Sequence, residues 1–263
     1  MLGILSKDPQ LIDLARKPPW EFDSYKWMAE MILARPPQGK ERQAFKRIKL
    51  GTNYGVEPPR MSQSLLEDGL RVPEAVCAKA QAKIHQLLPG IRKYQDEMRL
   101  RGMTSRKLVN PFGRVIEFPH DKMEPGLYRR LYAWMCQSTV HDLLVQQGLI
   151  PLWEWLRGQP EMRTRINIEN HDELLLSTTA EEAWRVARYA ESWLSDPRDY
   201  EGVEFSMPCS VVLETRYHAD HAPAGTPNTA FIEWKKLPDE ETFNIELARI
   251  WEQRIRRETV INP

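Results

Sequence analysis

With 263 residues, the chain is long enough for one large domain or two modest ones with a real core. Lys+Arg and Asp+Glu both number 37, so the total charge gives no hint of a nucleic-acid partner, although Lys40 to Arg60 holds six cations against Glu41 and Glu57 and so reads as a local anion site. Cys77, Cys136 and Cys209 are far apart with no CxxC, which excludes a disulfide framework and a structural zinc site; no apolar run is long enough for a membrane and no signal segment opens the chain, so a soluble cytoplasmic protein is expected.

In chain order, residues 1 to 16 read as the end of a helix, a turn at Lys7-Asp8-Pro9, and a short helix that Asp8 caps and Pro9 opens. Pro18-Pro19 breaks the chain. Asp23 or Ser24 caps a helix to about Leu33, which Pro36-Pro37 stops. A helix from Glu41 to Tyr54 comes next, ended by Pro58-Pro59. Ser62 to Gly69, Pro73 to Leu87 and Ile91 to Arg101 are the next helices, the last with Ile91, Tyr94 and Met98 on one side.

The pattern then changes. Thr104 to Val109 and Arg114 to Phe118 flank Asn110-Pro111-Phe112-Gly113 and read as a hairpin. Glu124 to Gln147 is a long helix, and helical character continues through Leu152 to Leu156. Arg163 to Glu169 and Leu174 to Thr178 are strands around the polar turn Asn170-His171-Asp172-Glu173. Ala180 to Leu194 is a helix, Ser210 to Tyr217 a strand, His218 to Asn228 a loop and Thr229 to Trp234 a short strand. Glu240 to Arg257 is an amphipathic helix with Phe243, Leu247, Ile250 and Trp251 on one face. The expected class is α+β: a helical block over 1–101, a part with a small antiparallel sheet over 102–218, and over 219–263 a loop and a helix that packs on the body.

Two stretches carry chemistry. In ERQAFKRIKLGTNYG, residues 41–55, Arg42, Lys46, Leu50 and Tyr54 stand four apart and make one stripe along a helix. Two cations one turn apart can hold a polyphosphate, and the apolar and aromatic surface after them can hold or displace a flat base. Gly51 and Gly55 let other groups come close to the backbone. The plainer reading is an exposed basic helix. The second stretch is His171-Asp172-Glu173 between two strands. Its carboxylates offer the oxygen ligands that Mg²⁺ prefers, against the plainer reading of a charged surface turn.

The string R-x3-K-x3-L-G-x2-Y-G resembles the nucleotide-binding helix in the fingers of family A (polymerase I type) DNA polymerases, and Arg42, Lys46, Leu50, Gly51, Tyr54 and Gly55 match it without a gap. INIENHDELLLS resembles that family's strand-HDE-strand motif. RRLYAWMCQSTVHDLL resembles its palm helix R-x3-N-x3-Q-G-x3-D through Arg129, Gln137 and Asp142, with Ala133 for the usual Asn and Ser138 for the usual Gly. The resemblance covers about residues 1–218.

It implies helical fingers over 1–101 and a palm over 102–218. It also implies a site for Mg²⁺, dNTP and primer–template DNA. Arg42 and Lys46 grip the triphosphate, Lys46 also offsetting charge on, or protonating, the departing pyrophosphate. Leu50 packs against the nucleotide and Tyr54 stacks at the templating position beside Gly55. Asp172 binds metal, Glu173 is the family's second carboxylate there, and His171, Arg129 and Gln137 lie along the DNA. Leu50, where many bacterial members have an aromatic, points to a phage-like relative.

The family's first metal-binding aspartate stands in a motif like DYSxxExR. MLGILSKD at the start of this chain matches the family's segment immediately C-terminal to that motif. The expectation is therefore a split or truncated polymerase without thumb and first catalytic motif, completed by a separate N-terminal fragment. A non-catalytic module that binds primer–template or a replication partner is the alternative.

Overall fold

The computed structural model describes residues 1–18, 20–170, 173–200, 202–206, 209–214 and 231–261. They form two compact units: Met1–Asp142 with Asp199–Phe205, and Leu143–Arg198 with the residues from Ser206 onward. The class is α+β, helices with small two-stranded antiparallel sheets.

The first unit opens as expected. Helices α1 (Leu2–Ser6) and α2 (Pro9–Arg16) join at Asp8, whose carboxylate accepts the Leu11 amide at 2.9 Å. Asp23 caps α3 (Ser24–Leu33), accepting the amides of Tyr25 and Lys26, each at 3.0 Å. Then come α4 (Glu41–Asn53), α5 (Pro58–Glu67), α6 (Glu74–Leu87) and α7 (Gly90–Ser105).

Two boundaries differ from expectation. Pro58-Pro59 opens α5 rather than merely ending α4, because the first helical position has no use for an amide hydrogen. Helix α7 runs on through Thr104 and Ser105, residues expected in a strand. Gly102 lets that last part of the helix pack closely, since a Cβ would stand 2.9 Å from Leu131 Cδ1. One core cluster gathers Met28, Phe45, Ile48, Leu65, Ile84 and Ile91 from α3 to α7. A second joins Tyr94 and Met98 of α7 to Leu108, Phe118, Leu131 and Met135.

Strands β1 (Lys107–Val109) and β2 (Val115–Glu117) pair antiparallel with Leu108 opposite Ile116. Their turn is tied to α8 (Pro125–Leu144) through Asn110. Its Oδ1 accepts the amides of Phe112 (3.0 Å) and Arg114 (2.9 Å), while its Nδ2 donates to Asp142 (2.6 Å) and Ser138 Oγ (3.2 Å). Arg114 closes the knot with Nη2 donating to Asp142 Oδ1 at 2.6 Å. The hydroxyl of Ser138, unexpected for a glycine position, thus has a partner.

Asp142 is buried, and its carboxyl is held below the usual carboxylate range by the Arg114 hydrogen bonds, against the opposing effect of burial. Because its folded pKa is depressed, its stabilisation is present above the unfolded carboxylate pKa and is lost as pH falls through the folded one. A fully buried pair broken on one side costs roughly 3–5 kcal/mol, but Arg114 is half-exposed and solvent screens it. Asp142→Ala is therefore expected to cost about 2 kcal/mol at pH 7 and progressively less as pH falls below the ordinary carboxylate range, read by urea denaturation across that range. An unchanged midpoint at pH 7 would show that the knot contributes nothing.

In the second unit α8 gives way to a π-helical turn, Val145–Leu149, before α9 (Ile150–Arg157). Gly148 is buried there, and a Cβ would stand 2.7 Å from Leu194 Cδ2. Strands β3 (Arg165–Asn170) and β4 (Glu173–Ser177) pair antiparallel, with the register shifting between Ile166 and Ile168. Helix α10 (Ala180–Ser195) comes after them.

A hairpin that the sequence reading did not anticipate is next: β5 (Arg198–Tyr200) with β6 (Val203–Phe205), bent at Gly202 with φ of 81°. In the first unit, Arg16 donates to the Glu204 carbonyl at 3.0 and 3.1 Å. Strand β7 (Val211–Glu214) pairs antiparallel with β8 (Phe231–Trp234), and α11 (Glu240–Ile261) closes the second unit. Phe243 packs between Trp184 and Trp234, with ring centroids 5.4 and 5.1 Å away. Phe243 and Ile250 are buried and Leu247 packs on the cluster that holds Phe243, while Trp251 is 53% exposed.

Candidate functional site

Helix α4 lies where it does because Ala44, Phe45 and Ile48 face the core. That burial turns Arg42 and Lys46 outward to solvent, leaves Leu50 half-buried, and puts Tyr54 at the C-cap. The four residues of the stripe thus succeed one another from water toward the core.

Opposite the cations stands the first turn of α3. The Arg42 guanidinium pairs with Asp23, and the Lys49 ammonium donates to Ser24 Oγ at 3.2 Å. The Tyr25 ring has three cations around it: Lys49 Nζ at 5.1 Å, Lys46 Nζ at 5.8 Å and Arg42 Cζ at 6.0 Å from its centroid. Burial pushes the Lys49 ammonium down and the Tyr25 phenol up. Burial also opposes ionisation of Asp23, but the Arg42 hydrogen bond and the amides of Lys26 and Tyr25 outweigh it, so the carboxyl sits below its ordinary range. Three cations are gathered on one ring, two of them on exposed side chains, an arrangement whose charge suits a polyanion.

Other cations in and beside the basic strip are differently used. Arg47 pairs with Asp68 at 3.0 Å. Arg35 forks onto Glu41 with both bonds at 2.8 Å, and with the Gln38 amide it lowers that carboxyl to about 2.

Sequence reasoning found Arg42 and Lys46 and missed the groups that face them. Lys49 lies one turn past Lys46 and was legible by that spacing. Asp23 was seen only as a cap. Tyr25 gave no signal, because its contact with α4 exists only once α3 and α4 are packed together.

The glycines after the stripe do admit close neighbours, and those neighbours are the protein's own. A Cβ on Gly51 would displace the tip of the buried Met61 side chain. Gly55 has φ of 70°, and a Cβ there would stand 3.0 Å from the Tyr132 ring. Tyr54 is half-buried against the cluster of Tyr94 and Tyr132, and burial raises its phenol pKa.

The second stretch belongs to the second unit. Asn170 pairs with Glu173 across the end of the β3–β4 hairpin, and Glu173 is exposed. His171 and Asp172 lie outside the described residues. Among the described residues no group of three or more His, Cys, Asp or Glu is gathered to hold a metal ion. The donor chemistry still suits Mg²⁺, because Glu173 offers a solvent-facing carboxylate beside Asp172 in the chain. On α8, Arg129 is half-buried and Gln137 exposed, while Asp142 is committed to Arg114 and Asn110. Among the described residues no helix is long and apolar enough to cross a membrane.

A family model described as DNA polymerase family A matches residues 1–218. The chain is 25% identical over 222 residues to the thermostable DNA polymerase I of Thermus thermophilus, covering 81% of this chain and 24% of that protein. The thermostable DNA polymerase I of Thermus caldophilus gives the same figures, 25% over 222 residues with 81% and 24% covered. The chain thus spans about a quarter (24%) of the length of these relatives. Among solved structures it is similar in fold to the POL domain of Pol1 from M. smegmatis in complex with DNA primer-template and dNTP. The TM-score is 0.63 at 17% sequence identity, over 74% of this chain and 34% of that one.

Proposed function

Because the chain belongs to DNA polymerase family A, we propose that it supplies the nucleotide grip and part of the metal site for template-directed DNA synthesis. The observation that carries this reading is the convergence of Arg42, Lys46 and Lys49 on the Tyr25 ring, on the helix that bears the family's motif. The substrates are dNTP and primer–template DNA, as in the complex that the M. smegmatis domain makes. Residues 1–101 act as fingers, residues 102–218 as palm, and residues 219–263 as a C-terminal element on the body.

Arg42 and Lys46 hold the triphosphate, and Lys46 steadies the charge that grows on the departing pyrophosphate. Leu50 packs against the incoming nucleotide and Tyr54 stacks at the templating base. Gly55, Arg129, Gln137 and His171 lie along the DNA. Asp172, with Glu173 beside it, is the carboxylate that would hold Mg²⁺, which when bound supplies charge stabilisation at the reacting phosphate.

The partner carboxylate comes from polypeptide outside these 263 residues, most simply an N-terminal fragment bearing DYSxxExR. The β3–β4 hairpin supports such a completion. Ile168 is 43% exposed and Leu174, Leu175 and Leu176 are only half-buried, so an apolar strand pair still has surface to cover.

Primer extension tests the reading. Mixed with a fragment carrying DYSxxExR, the chain is expected to extend a primer with Mg²⁺ and all four dNTPs, and alone to give no extension. Template-dependent extension by the chain alone would remove the need for a second fragment. DNA binding without extension in the mixture would make the chain a binding module instead.

A further inference from the structure

Asp23 uses its two oxygens for two tasks. Oδ1 caps α3 by accepting the amides of Tyr25 and Lys26, and this holds the Tyr25 ring beside α4. Oδ2 accepts from Arg42 Nε, so a carboxylate already sits on one of the two cations of the stripe. Lys46, by contrast, makes no ion pair among the described residues. The two cations assigned to one triphosphate are therefore unequal: one is paired with a carboxylate and the other, beside the Tyr25 ring, is not.

We propose that Asp23 acts as an internal stand-in for a phosphate group, competing with the incoming triphosphate for Arg42 and so setting nucleotide affinity. The inference rests on the reading of Arg42 and Lys46 as the triphosphate grip.

The pair is built to exchange. The Arg42 side chain is 50% exposed and that of Asp23 30%, so water reaches both charges, and neither is stranded when they separate. A triphosphate offers several anionic oxygens and can engage Arg42 and Lys46 together, which a single carboxylate anchored to the start of α3 cannot. Once released, the Asp23 carboxylate still has its cap, because that task belongs to the other oxygen. The swap thus leaves α3 and the Tyr25 ring where they are. It also means that Arg42 is kept from wandering in the free chain, so part of its ordering precedes nucleotide binding.

Asp23→Asn separates the two tasks. Asparagine is as good an N-cap as aspartate, so α3 keeps its start, but the charge that competes for Arg42 is gone. Binding of inorganic tripolyphosphate to the full 263-residue chain, monitored by isothermal titration calorimetry without Mg²⁺, is expected to tighten about threefold to fivefold, the scale of an exposed ion pair. Adding Arg42→Ala should erase that gain, with wild-type stability in urea showing that α3 and α4 stay folded. Wild-type binding that depends on Arg42 but is unchanged or weakened by Asp23→Asn would overturn the competition and leave the grip intact. Wild-type binding indifferent to Arg42→Ala would overturn the grip, and the competition with it.

Discussion

Replacing Asp172 by alanine in the proposed polymerase, completed by a fragment carrying DYSxxExR, is expected to slow nucleotide addition by about a thousandfold or more, while affinity for primer–template stays within about twofold. The reason lies in what each contact does. A carboxylate that holds Mg²⁺ acts on charge developing at the reacting phosphate, so its loss appears in the barrier. A thousandfold corresponds to about 4 kcal/mol, the scale of one metal ligand in a site with few others. Duplex affinity comes mostly from phosphate and sugar contacts spread along the DNA, which one carboxylate does not make. Single-turnover rates and DNA titrations measured side by side give the answer. Near-normal turnover in the variant would reduce His171-Asp172-Glu173 to a charged turn.

Lys46→Ala is expected to lower the rate of nucleotide addition by about a hundredfold at saturating dNTP, because a positioned cation counts most when pyrophosphate is leaving. Lys46 is exposed and makes no ion pair among the described residues, so its removal should leave the fold alone. Tyr54→Ala should behave differently, sparing much of the rate and raising misincorporation, since stacking governs geometry rather than charge. Tyr54 is also half-buried in the Tyr94–Tyr132 cluster, so that variant is expected to lose some stability, which Lys46→Ala should not. If α4 were only a basic surface, both changes would weaken DNA binding slightly and the Lys46 effect would fade with salt. Rates at two salt concentrations separate these outcomes.

Local chemistry was readable where it is self-contained. The caps at Asp8 and Asp23 and the extent of α4 are set by residues within one turn of each other. The alternation before residues 170–173 and the apolar run after them likewise gave β3 and β4 to within two residues. Pro58-Pro59 misled because the same dipeptide ends one helix and opens another, and only the chain's path decides between them. Strands β5 and β6 are three residues each, too short to show a period. The π turn in 145–149 carries no residue signal beyond Gly148, whose reason for being there, Leu194, is far along the chain. The same limit applied to the site. Arg42 and Lys46 declare themselves by spacing on one helix, whereas Asp23, Ser24 and Tyr25 meet them only through packing of α3 on α4.

Gly55 and the exposed cations of α4 answer to different pressures. The backbone at Gly55 is left-handed and the Tyr132 ring lies against it, so any side chain there disturbs the fold whether or not a nucleotide ever binds. Arg42 and Lys46 bury nothing in the core, and their replacement costs the folded chain little. A descendant that had abandoned nucleotides would therefore drift first at positions 42 and 46, and would keep the glycine and tyrosine long afterward as a fossil of its ancestry. The two cations are thus the better witnesses to present use, and the glycine testifies only to descent.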